Sequence, residues 1–130
     1  AGWAMFRKGV LLVGAGRHSE ACTPLQNALR VSPETSACWT TLGRAYEGTG
    51  RLEPSIKAYE RALELLPEGQ QGVMRADIEL RKALCAARMG MVTQAVQELE
   101  SLHARYPTWG VGACALGDAQ YVRALESTGE

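Results

Sequence analysis

The stretch from Trp39 to Pro67 constrains the fold of this chain more than any other. Trp39, Leu42, Gly43 and Tyr46 fall at i, i+3, i+4 and i+7, which is one face of an α-helix. Gly43 has no side chain, so a second helix can come close there. Thr49-Gly50 ends the helix, because glycine accepts the left-handed backbone that a helix end often needs. Pro54 falls in the first turn of the next helix, where a missing N–H costs little. Ser55, Tyr59, Ala62 and Leu66 form the inner face of that second helix, with small residues meeting the bulky ones opposite, and Pro67 stops it. The stretch reads as a helical hairpin built around one close approach at a glycine.

The hairpin recurs. Counting back 34 residues from Pro67 lands on Pro33. In that frame Met5, Gly9, Leu12, Gly16, Ala21, Leu25, Ala28 and Pro33 take the places of Trp39, Gly43, Tyr46, Gly50, Ser55, Tyr59, Ala62 and Pro67. Lys8 stands where Leu42 would be matched. The second helix of this unit begins near His18-Ser19. Pro24 inside it predicts either a kink, at a cost of about 3 kcal/mol, or a later start with Thr23 as N-cap. Thr35 or Ser36 is the N-cap expected for the following unit. Pro107 lies 40 residues past Pro67, and counting back from it restores the pattern through Gly90, Ala95, Leu99 and Leu102. The extra residues, about Gln70 to Arg75, are expected to lengthen the first helix of this third unit. Its apolar stripe is Val73, Ala76, Leu80, Ala83, Leu84 and Ala87, while Glu79 and Lys82 occupy the Trp and Leu places, which predicts a rotated or shifted helix. A fourth unit begins at Trp109, with Leu116-Gly117 repeating Leu42-Gly43, and its helix ends near Ser127-Thr128-Gly129 without a partner.

This gives a single array over residues 1–130, with units at about 2–35, 36–69 and 76–109 and the first helix of a fourth at 110–127. Seven helices are expected, and no stretch alternates with the period of a strand. Ala1 rather than Met opens the chain inside an expected helix, and the last helix lacks the partner it needs to bury its stripe. Both features lead us to expect a piece of a longer protein.

Composition narrows the function classes. The 14 basic and 14 acidic residues give a formal charge of zero without a local basic cluster, so no direct binding of nucleic acid is expected. No apolar run approaches the roughly 20 residues of a membrane span, so no membrane partner is expected. Cys22, Cys38, Cys85 and Cys114 are far apart in sequence, each in an apolar or small-residue segment. They are read as small core residues of a reducing compartment rather than as metal ligands or disulfides. His18 and His103 fall near helix ends with no Cys or Ser in a nucleophile setting, and solvated or capping roles are expected for both. Gly14-Ala15-Gly16 follows a helix without a preceding strand, and Gly110, Gly112 and Gly117 miss the spacing of a phosphate-cradling loop. Glu60 and Glu64 share their helix with Lys57 and Arg61, a solvated charged face. No catalytic residue, metal, cofactor or small-molecule substrate is expected, and the chain is not read as an enzyme.

The order and spacing from Trp39 to Pro67 match the tetratricopeptide repeat, and the chain resembles proteins of that family throughout residues 2–126. The resemblance implies an all-α fold, a right-handed superhelix (α-solenoid) of about three and a half antiparallel helix pairs. It also implies that the first helix of each pair lines a concave surface that binds other proteins. By family geometry this strip carries Trp3, Phe6 and Val10, then Thr40, Arg44 and Glu47, then Leu80, Leu84 and Arg88, then Cys114, Asp118 and Tyr121. It is expected to hold an extended segment or helix of a partner. The alternative is that Trp3, Phe6 and Val10 pack against earlier repeats. Chaperone adaptors of this family clamp a terminal carboxylate with charged donors, yet the matching positions here are Phe6, Val10, Leu80 and Leu84, all apolar. A carboxylate clamp is therefore not expected.

A closer resemblance is to the tetratricopeptide scaffold subunits of Ski (superkiller) complexes. It is carried by Ala4-Met5-Phe6-Arg7-Lys8-Gly9, by Gly14 to Ala21, and by Leu25-Gln26-Asn27-Ala28-Leu29-Arg30. Cys38-Trp39, Leu42-Gly43-Arg44-Ala45-Tyr46 and Leu116-Gly117-Asp118 add to it. The resemblance is strongest over 3–67 and fades across 68–90. It implies a long scaffold that holds an RNA helicase and β-propeller subunits. It further implies support of 3′-to-5′ mRNA decay with the exosome in the cytoplasm, the nucleus being a further compartment. The alternative is a targeting arm of an enzyme, or a co-chaperone adaptor that binds a peptide segment.

Overall fold

The computed structural model describes residues 2–67 and 72–107, with Gly117 and Arg123. Six helices follow in order: α1 Gly2–Gly14, α2 His18–Val31, α3 Ser36–Gly48, α4 Leu52–Leu65, α5 Val73–Arg88 and α6 Val92–Arg105. No strand occurs among the described residues. The all-α fold expected from the repeat pattern is therefore observed. Of the helix expected at 110–127, Gly117 and Arg123 are described and both are helical, and the rest lies outside the described residues. The chain divides into two compact units, Ala1–Ile78 and Glu79–Glu130.

The same turn closes α1, α3 and α5. Gly16, Gly50 and Gly90 have φ of 81°, 82° and 93°, a region that costs a side chain energy but costs glycine almost none. With glycine left-handed, the following N–H swings back to the helix. Arg17 N donates to Leu12 O at 2.8 Å, Arg51 N to Tyr46 O at 2.9 Å and Met91 N to Ala86 O at 3.0 Å. These bonds satisfy carbonyls that a helix end otherwise leaves open, and they send the chain into the next helix at a fixed angle.

In the first unit α1 packs on α2 and α3, α2 on α3, and α3 on α4. Glycine makes the two hairpin contacts possible. A Cβ at Gly9 would lie 2.5 Å from Leu25 Cδ2, and one at Gly43 would lie 2.7 Å from Tyr59 Cε1. Leu25 and Tyr59 are fully buried as a result. Full burial of a side chain of this size stabilises by roughly 1.5–3 kcal/mol. Polar groups in the same seam are paired. Ser55 Oγ donates to Gly43 O at 2.7 Å and Ser36 Oγ to Ala62 O at 2.8 Å. Between hairpins, Cys38 Sγ donates to Leu25 O at 3.5 Å and Gln26 Nε2 to the Tyr46 hydroxyl at 2.9 Å. The outer face of α4 carries the Arg61–Glu64 pair at 2.8 Å, in line with the solvated charged face read there. In the second unit, Ala83, Cys85, Ala95, Val96 and Leu99 are fully buried, and Arg105 Nη2 on α6 donates to Glu79 Oε2 on α5 at 2.8 Å.

Several local expectations are corrected. Helix α2 runs unbroken through Pro24, so Thr23 caps nothing. Pro24 is half-buried within the helix, where packing of Ala21, Leu25, Ala28 and Leu29 outweighs the lost hydrogen bond. Thr35 holds the N-cap position of α3, but its hydroxyl turns back to Ser32 O at 3.2 Å and Ser32 Oγ at 3.0 Å and makes no cap. His18 opens α2 but is not its cap, and its side chain is half-buried. Its ring lies against Gly48 of α3, where a Cβ would meet His18 Cγ at 2.2 Å, and its Nδ1 is buried without a partner among the described residues. His103 Nδ1 is buried in the same way. Trp39 is half-buried rather than central. It packs against the core and its indole N–H donates to Pro33 O at 2.9 Å, while Tyr59 is the largest fully buried side chain among the described residues. Helix α5 has 16 residues against 13 for α1 and α3, so the extra residues do lengthen it. Its buried side is Ala76, Ile78, Leu80, Ala83, Cys85 and Ala86, and Leu84 is exposed. Ala76, Leu80 and Ala83 of the expected stripe lie on this side, while Leu84 is exposed and Ala87 half-buried, so the buried face is turned from the stripe towards Ile78, Cys85 and Ala86.

Candidate protein-interaction site

In the first unit the strip comes from α1 and α3. Trp3, Phe6 and Val10 stand at i, i+3 and i+7 on α1. Trp3 is 75% exposed, and Phe6 and Val10 are half-buried. Arg7 lies over the Trp3 ring, 5.8 Å from its centroid, which holds the indole against its own helix. Thr40, Arg44 and Glu47 are the α3 counterparts. The Thr40 hydroxyl donates to Ser36 O at 3.0 Å, and Glu47 Oε1 accepts from the Tyr59 hydroxyl at 2.9 Å. Arg44 is exposed and has no hydrogen-bond or ion-pair partner among the described residues.

Two of the clefts on this unit include residues of the strip on α1 and α3 and correspond to each other. One, of about 280 Å³, is lined by Gly2, Trp3, Phe6, Ala28, Val31, Ser32, Thr35 and Cys38. The other, of about 370 Å³, is lined by Ser36, Ala37, Thr40, Thr41, Leu66, Met74, Asp77 and Ile78. They are one repeat apart, since Trp3, Phe6, Ser32 and Cys38 correspond to Ala37, Thr40, Leu66 and Ile78 in the repeat frame. The first is aromatic and aliphatic, the second rich in hydroxyls with one carboxylate. Sequence reasoning missed Val31, exposed at the end of α2, and Met74, exposed at the start of α5. The signal was available: both are large apolar residues lying off the inner-face positions of their helices.

In the second unit Leu84 and Arg88 are exposed, whereas Leu80 is buried and offers a partner almost no surface. Cys114, Asp118 and Tyr121 lie outside the described residues.

The site offers surface rather than reactive groups. Cys22, Cys38 and Cys85 are buried and not in disulfides. Burial pushes the Cys38 thiol up to about 11 and raises that of Cys22 against a smaller opposing pull from Arg51, so both stay protonated near neutrality. Among the described residues no cluster of His, Cys, Asp or Glu could hold a metal ion, and no helix is long and apolar enough to cross a membrane. Glu20 is held below its usual range through its hydrogen bond from Arg17 on the solvated start of α2.

Helical hairpins joined by left-handed glycines, each with a glycine or alanine under a bulky residue of its partner helix, define a repeat module that binds proteins. The Tetratricopeptide repeat family profile matches residues 36–68 and again 77–108, and the chain belongs to that family. It is 40% identical over 75 residues to human Superkiller complex protein 3, covering 58% of this chain and 5% of that protein. It is 29% identical over 130 residues to Xenopus laevis Tetratricopeptide repeat protein 37, covering all of this chain and 7% of that one. The chain thus spans a small part of the curated relatives it matches. Among solved structures, the second such domain of human RPAP3, in complex with the HSP70 peptide SGPTIEEVD, matches with a TM-score of 0.75 at 15% identity, covering 89% of this chain and 92% of that one. At that identity the likeness is one of fold.

Proposed function

We propose that the chain is a segment of a Ski-type tetratricopeptide scaffold. It does no chemistry itself. It supports cytoplasmic 3′-to-5′ mRNA decay with the exosome by helping to hold an RNA helicase and β-propeller subunits. The observation that carries this reading is the likeness to Superkiller complex protein 3. The physical arrangement supports it: Trp3, Val31 and Met74 expose apolar surface on helices that are otherwise well buried on their inner sides. Exposed aromatic and aliphatic surface of this kind is what protein interfaces use as anchors. A peptide clamp of the sort that captures a terminal carboxylate is disfavoured, because Phe6, Val10, Leu80 and Leu84 supply no donors.

The test is co-purification of the intact protein containing this chain, tagged in its own cells, with mass spectrometry of what comes with it. A helicase and β-propeller proteins in near-equal amounts are expected. Recovery of a catalytic domain on the same polypeptide, or of chaperones in place of those subunits, would overturn the reading.

A further inference from the structure

The exposed charges on the α1–α3 surface are unbalanced. Arg44 is unpartnered among the described residues, and Arg7 has only the Trp3 ring. The acidic groups on the same side are already engaged: Glu47 accepts from Tyr59, and Asp77 also has a partner within the protein. An exposed guanidinium one helix away from an apolar cleft is complementary to one kind of segment, a bulky apolar side chain with a carboxylate a few residues along.

The spacing follows from helix geometry. Arg44 is the repeat counterpart of Val10, so it sits one helical turn beyond Phe6 along the axis and one helix to the side. One turn is about 5–6 Å and adjacent helices are about 8–10 Å apart, which places the two points roughly 10–11 Å from each other. An extended chain covers that distance in about three residues, at roughly 3.3–3.6 Å each. We propose that this surface takes an extended, internal, acidic segment of a partner protein. Its bulky apolar residue enters the cleft of Trp3, Phe6 and Val31, and a carboxylate about three residues away pairs with Arg44. The inference rests on the reading that this face holds a protein, and it names the chemistry of the segment. No terminal carboxylate is required, because the anchor is the apolar cleft.

The experiment is selection of a phage library of random segments, about twelve residues long and fused at both ends so that no free carboxylate is present, on the immobilised 130-residue chain. Enrichment of Phe, Leu, Ile or Met with Asp or Glu three residues away, in either direction, is expected. Arg44→Glu is exposed and should fold normally by circular dichroism. It should lower recovery of those segments about fivefold and shift the preference at that place to Lys or Arg. Trp3→Ala should lower recovery by about tenfold or more. Segments enriched without an acidic preference, or with one that Arg44→Glu leaves in place, would overturn the proposal while the scaffold function stood. A library that yields nothing also overturns it, and the co-purification described above then judges the scaffold function separately.

Discussion

Gly43→Ala sets two effects of opposite sign against each other. Gly43 lies in the interior of α3, where alanine favours the helix over glycine by about 1 kcal/mol. On an isolated helix the substitution would stabilise. In the hairpin the new Cβ would sit 2.7, 2.8 and 3.1 Å from Tyr59 Cε1, Cδ1 and Cζ. Carbon atoms in good contact are about 3.5–4.0 Å apart, so the ring or the helix must move by most of an ångström. Neither is free to do so. Tyr59 is fully buried with its hydroxyl on Glu47, and the carbonyl of Gly43 itself is held by Ser55 Oγ. Overpacking of this kind costs about 1–3 kcal/mol, more than the gain in helix preference. The net expectation is a loss of about 1–2 kcal/mol, taking the tighter end of that range because the obstacle is a fixed ring. The third repeat supplies the control, since it carries Ala83 with Leu99 at the matching positions, both fully buried. Adding Tyr59→Leu to Gly43→Ala should therefore recover stability, with the double variant about 1 kcal/mol better than the sum of the singles. Urea denaturation followed by circular dichroism reads all four corners of the cycle. A Gly43→Ala chain more stable than the parent would falsify the account of Gly43 as a contact point.

Gly14→Ala is the counterpart without a contact. Nothing lies within 4 Å of the new Cβ, so stability should rise by up to about 1 kcal/mol in the same denaturation. Trp39→Ala should cost about 3 kcal/mol, through lost packing and an unpaired Pro33 carbonyl; a loss below about 1 kcal/mol would show that Trp39 contributes little packing. Cys38 gives a pH dependence. Its thiol is raised from the ordinary 9.0 to about 11 by burial, so the fold favours the neutral form. That contribution is complete below pH 9 and is lost as pH rises towards 11, because the unfolded chain ionises first. The change should reach about 2–3 kcal/mol, and Cys38→Ala should remove it when urea midpoints are compared across that range; identical profiles for the two chains would refute it.

The hairpins were legible because the signature residues act locally. Glycine at Gly16, Gly50 and Gly90 is required by a positive φ, and glycine at Gly9 and Gly43 by a ring or isobutyl group of the partner helix. Both requirements are properties of a residue type at one position, so spacing exposes them. What depends on which neighbour covers a face was not legible. The stripe read on α5 from apolar residues alone took in Leu84 and missed Ile78, Cys85 and Ala86, because Glu79 and Lys82 broke the pattern that fixes the phase. His18 was read as solvated or capping from its place near a helix end, yet the absence of a side chain at Gly48 gives its ring a place to lie. The strip residues were placed by family geometry, and the clefts beside them were not: Val31 and Met74 stand out as large apolar residues off the inner faces, but no period says that they line a space between helices.

The repeat frame also separates residue type from environment. Cys38 and Ala45 of α3 are buried, and Cys38 reaches Leu25 O on α2. Their counterparts on α1, Ala4 and Leu11, are exposed, with Leu11 the larger and at 68%. The more apolar residue is thus the more exposed of the pair, so burial at these two places is set by the preceding hairpin and not by the side chain. A helix of this kind has two apolar sides, one for its own partner and one for the hairpin before it. A single hydrophobic period cannot tell them apart, and this is why periodicity alone identified the hairpins but not the surfaces they leave open. The side of α1 that carries Trp3, Phe6 and Val10 is a third direction and only partly used: Phe6 packs against the core, Trp3 stays exposed, and in α3 Thr40 and Arg44 take the places of Phe6 and Val10. Trp3 is the apolar residue of this side that the described packing covers least, and this is the physical ground for proposing that another surface covers it.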